Sequence, residues 1–426
     1  MDRYDLLYRV YQEYETDTLR DLQNFVDLFP PVDSRVALDY WQDASDELET
    51  RKRDIADSLA AGETIADVVA RATREQTFTA LDLYSKYDRS INALVLDVDE
   101  TLRSAGRTDN EIPRETLHLL TELYETGIPI VICTGQTLEN VKGFMIQGLG
   151  TELVHSGSFS IVYEAGTGVF TPGHGSDTKR LLYETLDDDV RDVFSAVRSR
   201  VLTAAPEDLR RSVHLQGNEF NVTLKPNFDV GSDAAAAVID ESLVYLVDLL
   251  GRAVAESVEG VSDVGIESRT DDDDTGRSAE WARAYYAAAD PEIAAVLERE
   301  DAAPTRGVDD VPDDVQARFD RIDVAYYHAD AAEIGSLDLD KPTGVRGALD
   351  VLGIDDPFVL VMGDSKSDLR VMEWAEGADA GIAAAPEHAS DSVLDHVRST
   401  DELVYDPGDA GSVLRIVSVL NRLDEW

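Results

Sequence analysis

Ile91-Asn92-Ala93-Leu94-Val95-Leu96-Asp97-Val98-Asp99-Glu100-Thr101-Leu102 is the stretch on which the reading of this chain turns. A largely apolar run, Ile91 to Leu96, ends in two aspartates set two apart. A short run without polar alternation reads as a parallel strand buried on both faces. The aspartates fall where the strand gives way to a loop, so both can face one pocket. Alone, such a pair is a weak signal, because acidic residues often simply end strands.

The surrounding sequence repeats the pattern. Pro113 to Thr126 is helical, Gly127 interrupts, and a second apolar run, Ile128 to Cys133, ends in Thr134-Gly135. This β–α–β rhythm argues for a parallel sheet with helices on its faces, where ligands bind beyond the carboxyl ends of the strands. The rhythm returns late in the chain. Val345 to Leu352 is helical, and Phe358 to Met362 is an apolar run ending in Gly363-Asp364. A helix over Leu369 to Ala375, strands at Ala380 to Ile382 and Leu403 to Tyr405, and a final helix over Ala410 to Leu423 follow.

Residues 176–335 have a different texture. Strand-like runs, Ser212 to Gln216 and Phe220 to Lys225, are joined by Gly217 and Asn218, and a helix is expected over Ala234 to Leu250. The acidic stretches Asp271 to Asp274 and Asp309 to Asp314 read as solvated loops. Residues 1–88 read as helices: Tyr4, Leu7, Val10, Tyr11 and Tyr14 recur at helical spacing, then Leu19, Leu22, Phe25, Val26 and Phe29. Pro30 and Pro31 stop that pattern, and further helices are expected from Asp33 or Ser34 and from Glu63. The expected division is therefore a helical appendage (1–88), a sheet domain in two parts (89–175 and 336–426), and an inserted α+β domain (176–335).

Composition limits the function classes. The formal charge is −48, which disfavours nucleic acid and anionic lipid as partners. Lysine is confined to positions 52, 86, 142, 179, 225, 341 and 366. Such acidity resembles that of proteins from salt-in halophiles. At about 1 M salt the Debye length is roughly 3 Å, and repulsion among surface carboxylates is screened. No apolar run approaches the roughly 20 residues of a membrane helix, and the first residues lack a signal-peptide core. A cytoplasmic location is expected. The single cysteine, Cys133, excludes an intramolecular disulfide and a four-cysteine zinc site, and reads as a small core residue.

Four pieces now stand in order: Asp97 and Asp99 at the first strand end, Thr134-Gly135 at the second, Lys341 in Asp340-Lys341-Pro342-Thr343-Gly344, and Asp364 and Asp368 in Gly363-Asp364-Ser365-Lys366-Ser367-Asp368. This order resembles the haloacid dehalogenase superfamily of phosphohydrolases over roughly 89–175 and 336–426. The insertion lies where the type II (C2) cap lies in the branch of sucrose-phosphate, mannosyl-3-phosphoglycerate and Cof-type phosphatases. The resemblance implies a Rossmann-like α/β core whose cap closes over a small phosphorylated metabolite, such as a sugar or polyol phosphate. It implies that Asp97 attacks phosphorus to give an aspartyl-phosphate. Asp99 protonates the leaving alcohol and later deprotonates water. Thr134, Gly135 and Lys341 hold the phosphate. On the same resemblance Mg²⁺ is held by Asp97, the backbone carbonyl of Asp99 and Asp364, with Asp368 a direct or outer-shell partner. Electrostatics points the same way. A phosphate dianion beside four carboxylates costs about 4 kcal/mol per like-charged pair at 4 Å and an effective dielectric of 20, and oxygen ligands suit Mg²⁺.

The chain departs from that pattern in places. Glu100 stands where a glycine usually follows the two aspartates, His155-Ser156-Gly157 replaces an Asn-Gly segment, and Ser367 stands where Asn is common. His155, His214 and His328 read as ordinary core or surface histidines. Arg210, Arg211 and Lys225 read as solvated surface before they read as an anion grip, and Lys366 can line the entrance. A phosphotransferase or mutase on the same core, a partner-binding regulator and a protein phosphatase are the rival readings. The N-terminal helices are the candidate surface for a homo-oligomer or another partner.

Overall fold

The computed structural model describes residues 3–29, 35–59, 61–103, 111–175, 179–218, 220–258 and 271–424. Pro30, Pro31 and the helix start expected at Asp33 or Ser34 lie outside them. Along the chain the strands are β1 (Ala93–Leu96), β2 (Ile130–Cys133), β3 (Phe159–Tyr163), β4 (Gly168–Phe170), β5 (Arg180–Leu181), β6 (Val213–Gln216), β7 (Asn221–Pro226), β8 (Ile322–Tyr327), β9 (Ala331–Ser336), β10 (Val359–Met362), β11 (Gly381–Pro386) and β12 (Leu403–Tyr405). Two compact units form: Met1–Tyr163, Val169–Arg180 and Gly344–Trp426 make the first, Glu164–Gly168 and Leu181–Thr343 the second.

The first unit is built on a sheet of order β12-β11-β10-β1-β2-β3-β4-β5. From β12 to β3 all neighbours are parallel. Every residue of β1, β2 and β10 is buried, which is why these strands read as unbroken apolar runs. Val95 registers with Val131 on one side and Val361 on the other. The carboxyl ends of β10, β1 and β2 therefore lie side by side, and strands about 4.8 Å apart bring whatever follows them into one neighbourhood.

The N-terminal helices belong to this unit rather than standing apart from it. They are Arg3–Glu13, Thr16–Leu28, Arg35–Ser58, Gly62–Arg71 and Arg74–Tyr87. Thr73 caps the last of these in a reciprocal box with Gln76. That helix lies along Ala410–Asp424, where Gln76 donates to Ser412 (2.9 Å) and Tyr84 to Asp424 (3.2 Å). Arg415 reaches Glu115 (2.6 Å), the Arg71 carbonyl (2.5 Å) and Asn24 (2.8 Å). Glu122 accepts from Arg71 (3.0 Å) and Arg422 (2.7 Å). The N-terminal tyrosines pack and bond internally: Tyr11 donates to the Ala72 carbonyl (2.9 Å), and Tyr14 meets Ser58 (2.6 Å).

The second unit is α+β. A four-stranded antiparallel sheet, β6-β7-β9-β8, has one face against helices that include Asp188–Arg200 and Ser232–Ser257. Phe194, Val222, Leu224, Ile239, Leu246 and Ile334 are among its buried core. Its C-terminal boundary falls at Thr343, beyond the expected 335, because Ser336 donates to the Phe220 carbonyl (3.1 Å) and Leu337 to that of Arg321 (2.9 Å). The expectation of acidic loops is corrected. Residues 271–274 begin the helix Asp271–Ala289, and Asp313 and Asp314 open Asp313–Phe319, where the helix dipole favours carboxylates. Among the described residues no helix is long and apolar enough to cross a membrane.

Candidate active site

Each predicted residue at the strand ends is placed by the backbone of the sheet. The Asp97 amide donates to the Met362 carbonyl (2.9 Å), carrying the β1–β10 ladder one residue past the strand. The Thr134 amide does the same toward Val162 of β3 (2.9 Å), and Gly363 toward Ala384 of β11 (3.3 Å). Asp97, Asp364 and Asp368 converge: each offers a carboxylate oxygen, and these atoms all lie within 4.8 Å of one another. Asp97 is 6 % exposed and Asp368 3 %.

Gly363 makes this convergence sterically possible. A Cβ built there would stand 2.2 Å from the Cβ of Asp368 and 2.4 Å from its Cγ. Any side chain at 363 would evict the Asp368 carboxyl from the strand end. Asp368 Oδ2 is anchored by the first turn of the helix Lys366–Gly377, accepting from the Ser365 amide (3.1 Å), the Ser365 hydroxyl (2.6 Å) and the Asp364 amide (3.3 Å). Thr101 donates to Asp364 (3.3 Å), and Ser390 donates its amide to the Asp364 carbonyl (2.9 Å). Three carboxylates this close repel by about 3 to 4 kcal/mol per pair at an effective dielectric of 20. The field reaches Tyr405, which donates to the Thr101 carbonyl (3.3 Å). Burial, then the charges of Asp364, Asp97 and Asp368, push the Tyr405 hydroxyl far above its usual range.

Asp99 stands outside this group. Its side chain is half exposed and turned to Arg103, whose Nε (2.9 Å) and Nη2 (2.5 Å) donate to Oδ1, while Gln136 donates to Oδ2 (2.7 Å). The Arg103 guanidinium also lies over the Phe144 ring, 4.7 Å from its centroid. The turn that makes this pairing brings the amides of Leu102 and Arg103 to the Val98 carbonyl (both 3.1 Å). It holds Glu100 at φ +58°, in the left-handed region that a glycine occupies without strain. The family's usual glycine at this position thus has a local reason, and Glu100 meets it at a conformational cost. Its carboxylate lies 3.4 Å from His388.

Thr134 is 1 % exposed, its hydroxyl accepting from the Gln136 amide (3.1 Å), and Gly135 is exposed with open space around it. Lys341 is 4 % exposed at the start of the helix Lys341–Leu352 and is grouped with the second unit. Asp340 caps that helix, accepting from the Thr343 amide (2.9 Å) and hydroxyl (2.7 Å). His155 bonds the Thr151 carbonyl through Nδ1 (3.0 Å). His214 stacks on Phe228, and Lys225 pairs with Asp330 (3.0 Å). Sequence reasoning missed Arg103, Gln136 and Thr101. For Arg103 a signal was present: it is four residues after Asp99, the reach of a side-chain pair across one turn.

No curated protein matches the chain. Among solved structures, similar ones include trehalose-6-phosphate phosphatase from Aspergillus fumigatus (14 % identity, TM-score 0.41, 81 % of this chain and 97 % of that one). A haloacid dehalogenase-like hydrolase from Bacteroides thetaiotaomicron is another (14 %, TM-score 0.40, 77 % and 99 %). A subclass IIB sugar phosphatase is a third (14 %, TM-score 0.39, 76 % and 96 %). At these TM-scores the likeness decides nothing about substrate. The family model described as haloacid dehalogenase-like hydrolase matches residues 94–171. That segment begins inside β1 and carries Asp97, Asp99 and Thr134 on the strands that set the site, and over it the chain is similar to the haloacid dehalogenase-like hydrolases.

Proposed function

We propose that the chain is a magnesium-dependent phosphomonoester hydrolase that acts on a small sugar or polyol phosphate through an aspartyl-phosphate. The observation that carries this reading is the meeting of Asp97, Asp364 and Asp368 oxygens within 4.8 Å at adjacent strand ends. Crowded, largely buried carboxylates of this kind fit a hard divalent cation, since oxygen donors alone make up the set. Asp97, Asp364 and Asp368 would hold the ion, together with the Asp99 carbonyl that the family pattern implies. Bound there, Mg²⁺ would neutralise charge on the phosphoryl oxygens.

The protein's own groups supply the rest. Asp97 attacks phosphorus, the phosphorus–oxygen bond to the alcohol breaks, and an acyl phosphate forms. Asp99 gives its proton to the departing alkoxide, then takes one from the water that cleaves the aspartyl-phosphate. Arg103 and Gln136 orient the Asp99 carboxyl through Oδ1 and Oδ2. Thr134 and the amides after it orient phosphate oxygens, and Lys341 offsets negative charge. The sugar or polyol class follows from the branch of phosphatases that the motif order and the inserted domain resemble.

Phosphate release from p-nitrophenyl phosphate in high salt, with Mg²⁺ or EDTA, tests the reading, and a panel of sugar and polyol phosphates then tests the class. Metal-dependent release that is absent from Asp97→Asn supports it. Full activity in Asp97→Asn would overturn the nucleophile, and metal-independent release would overturn the cation.

A further inference from the structure

The first unit contains a cleft of 490 Å³ formed by residues of the helix Leu138–Leu149, by His155, and by Phe170, Pro172, Gly173, Gly175 and Lys179. This volume is of the size that holds a small organic ligand. Leu138, Phe170 and Pro172 give it an apolar wall, and two lysines line it, Lys142 and Lys179. The chain has only seven lysines against 86 acidic residues. Lys52 and Lys225 are spent on aspartates (2.9 and 3.0 Å) and Lys86 on carbonyls near Thr400. Lys142 and Lys179 form no ion pair with a carboxylate among the described residues, although carboxylates abound. The Lys142 ammonium instead lies 5.3 Å from the centroid of the Phe170 ring, so cation and apolar wall meet at one point.

The wall is held firmly. Gly173 takes φ +97°, and a Cβ there would come 2.4 Å from the His155 carbonyl oxygen. His174 bonds the Gly157 carbonyl through Nε2 (2.9 Å). Among the described residues of the lining, two ammonium groups stand against one carboxylate, that of Glu139. His155 bonds the Thr151 carbonyl through Nδ1 (3.0 Å), and the two lysines supply the ammonium groups of the cleft.

We propose that this cleft is a binding site for a small organic anion, a carboxylate or phosphonate/phosphate group on a flat apolar body, separate from the aspartate cluster. The anionic head meets Lys142 and Lys179, and the body lies on Leu138, Phe170 and Pro172. Binding requires neither the metal nor Asp97.

Calorimetric titration of the full chain with benzoate and with phenylphosphonate, in EDTA and at fixed ionic strength, tests this and separates the two head groups. Saturable binding of at least one probe is expected, weakened by about tenfold in the Lys142→Gln/Lys179→Gln double variant and restored in the Lys142→Arg/Lys179→Arg variant. The wild-type chain supplies an independent readout: the bound probe should shield Lys142 and Lys179, but not Lys52, from amine labelling read by mass spectrometry. No saturable binding of either probe, equal affinity in the glutamine variant, or labelling unchanged by the probe would each overturn the site.

Discussion

Acidic side chains are used in opposite ways in two regions of the first unit. In the helical layer part-buried carboxylates are paired with cations: Glu122 with Arg71 and Arg422, Glu115 with Arg415, Asp67 with Lys52. At the ends of β1 and β10, three aspartates crowd within 4.8 Å of one another. The first arrangement repays desolvation locally and ties helices together. The second sets like charges together, a cost that a purely structural cluster would have no reason to bear. Local repulsion that the fold tolerates marks the place where stability has been traded for chemistry.

The comparison can be broken most sharply at Asp97. Asp97→Asn is expected to lower phosphate release by about a thousandfold or more while leaving the metal-free protein at least as stable, which activity assays and calorimetry would read together. A large loss of stability would mean that the cluster is structural. On the other side, Glu122→Gln strips two part-buried arginines of a shared carboxylate. It should cost about 2 to 3 kcal/mol in denaturant unfolding without altering turnover of the folded enzyme. Asp368→Asn sharpens the metal assignment: the Mg²⁺ concentration for half-maximal activity should rise by about 10- to 100-fold, with the maximal rate partly recovered at saturating metal. Glu100→Gly should have the smallest effect, a gain of less than about 1 kcal/mol, because relief at φ +58° is offset by the freedom that glycine adds to the unfolded chain.

What could be read from the sequence follows the same physics. β1, β2 and β10 are buried on both faces, so their apolar runs announced them and fixed where the aspartates and Thr134 would stand. β3 went unread because Ser160 interrupts its run, and only the fold shows that Ser160 is satisfied by Thr171 (2.7 Å). The helix Arg35–Ser58 was legible only as a weak pattern after the prolines, since just Leu48 and Ile55 of its 24 residues are buried. The union of the N-terminal helices with the sheet depends on pairs such as Gln76 and Ser412, separated by 336 residues, which no local periodicity encodes. The turn that gives Asp99 to Arg103 is likewise set by backbone path, of which the sequence offered only the spacing.

The position of β1 beside β10 also bears on how the chain is made. Asn92 and Phe358, which flank these strands and are bonded to each other, are 266 residues apart. During synthesis β1 therefore emerges long before its inner neighbour, and a nascent sheet of β1, β2 and β3 presents an open, wholly apolar edge along β1. At about 5 to 20 residues per second that edge waits roughly 10 to 50 seconds for β10, while the second unit can collapse on its own contacts. A ribosome stalled between residues 103 and 358 would thus release the most aggregation-prone form of this protein, and a chaperone that protects it would be needed at β1 before anywhere else.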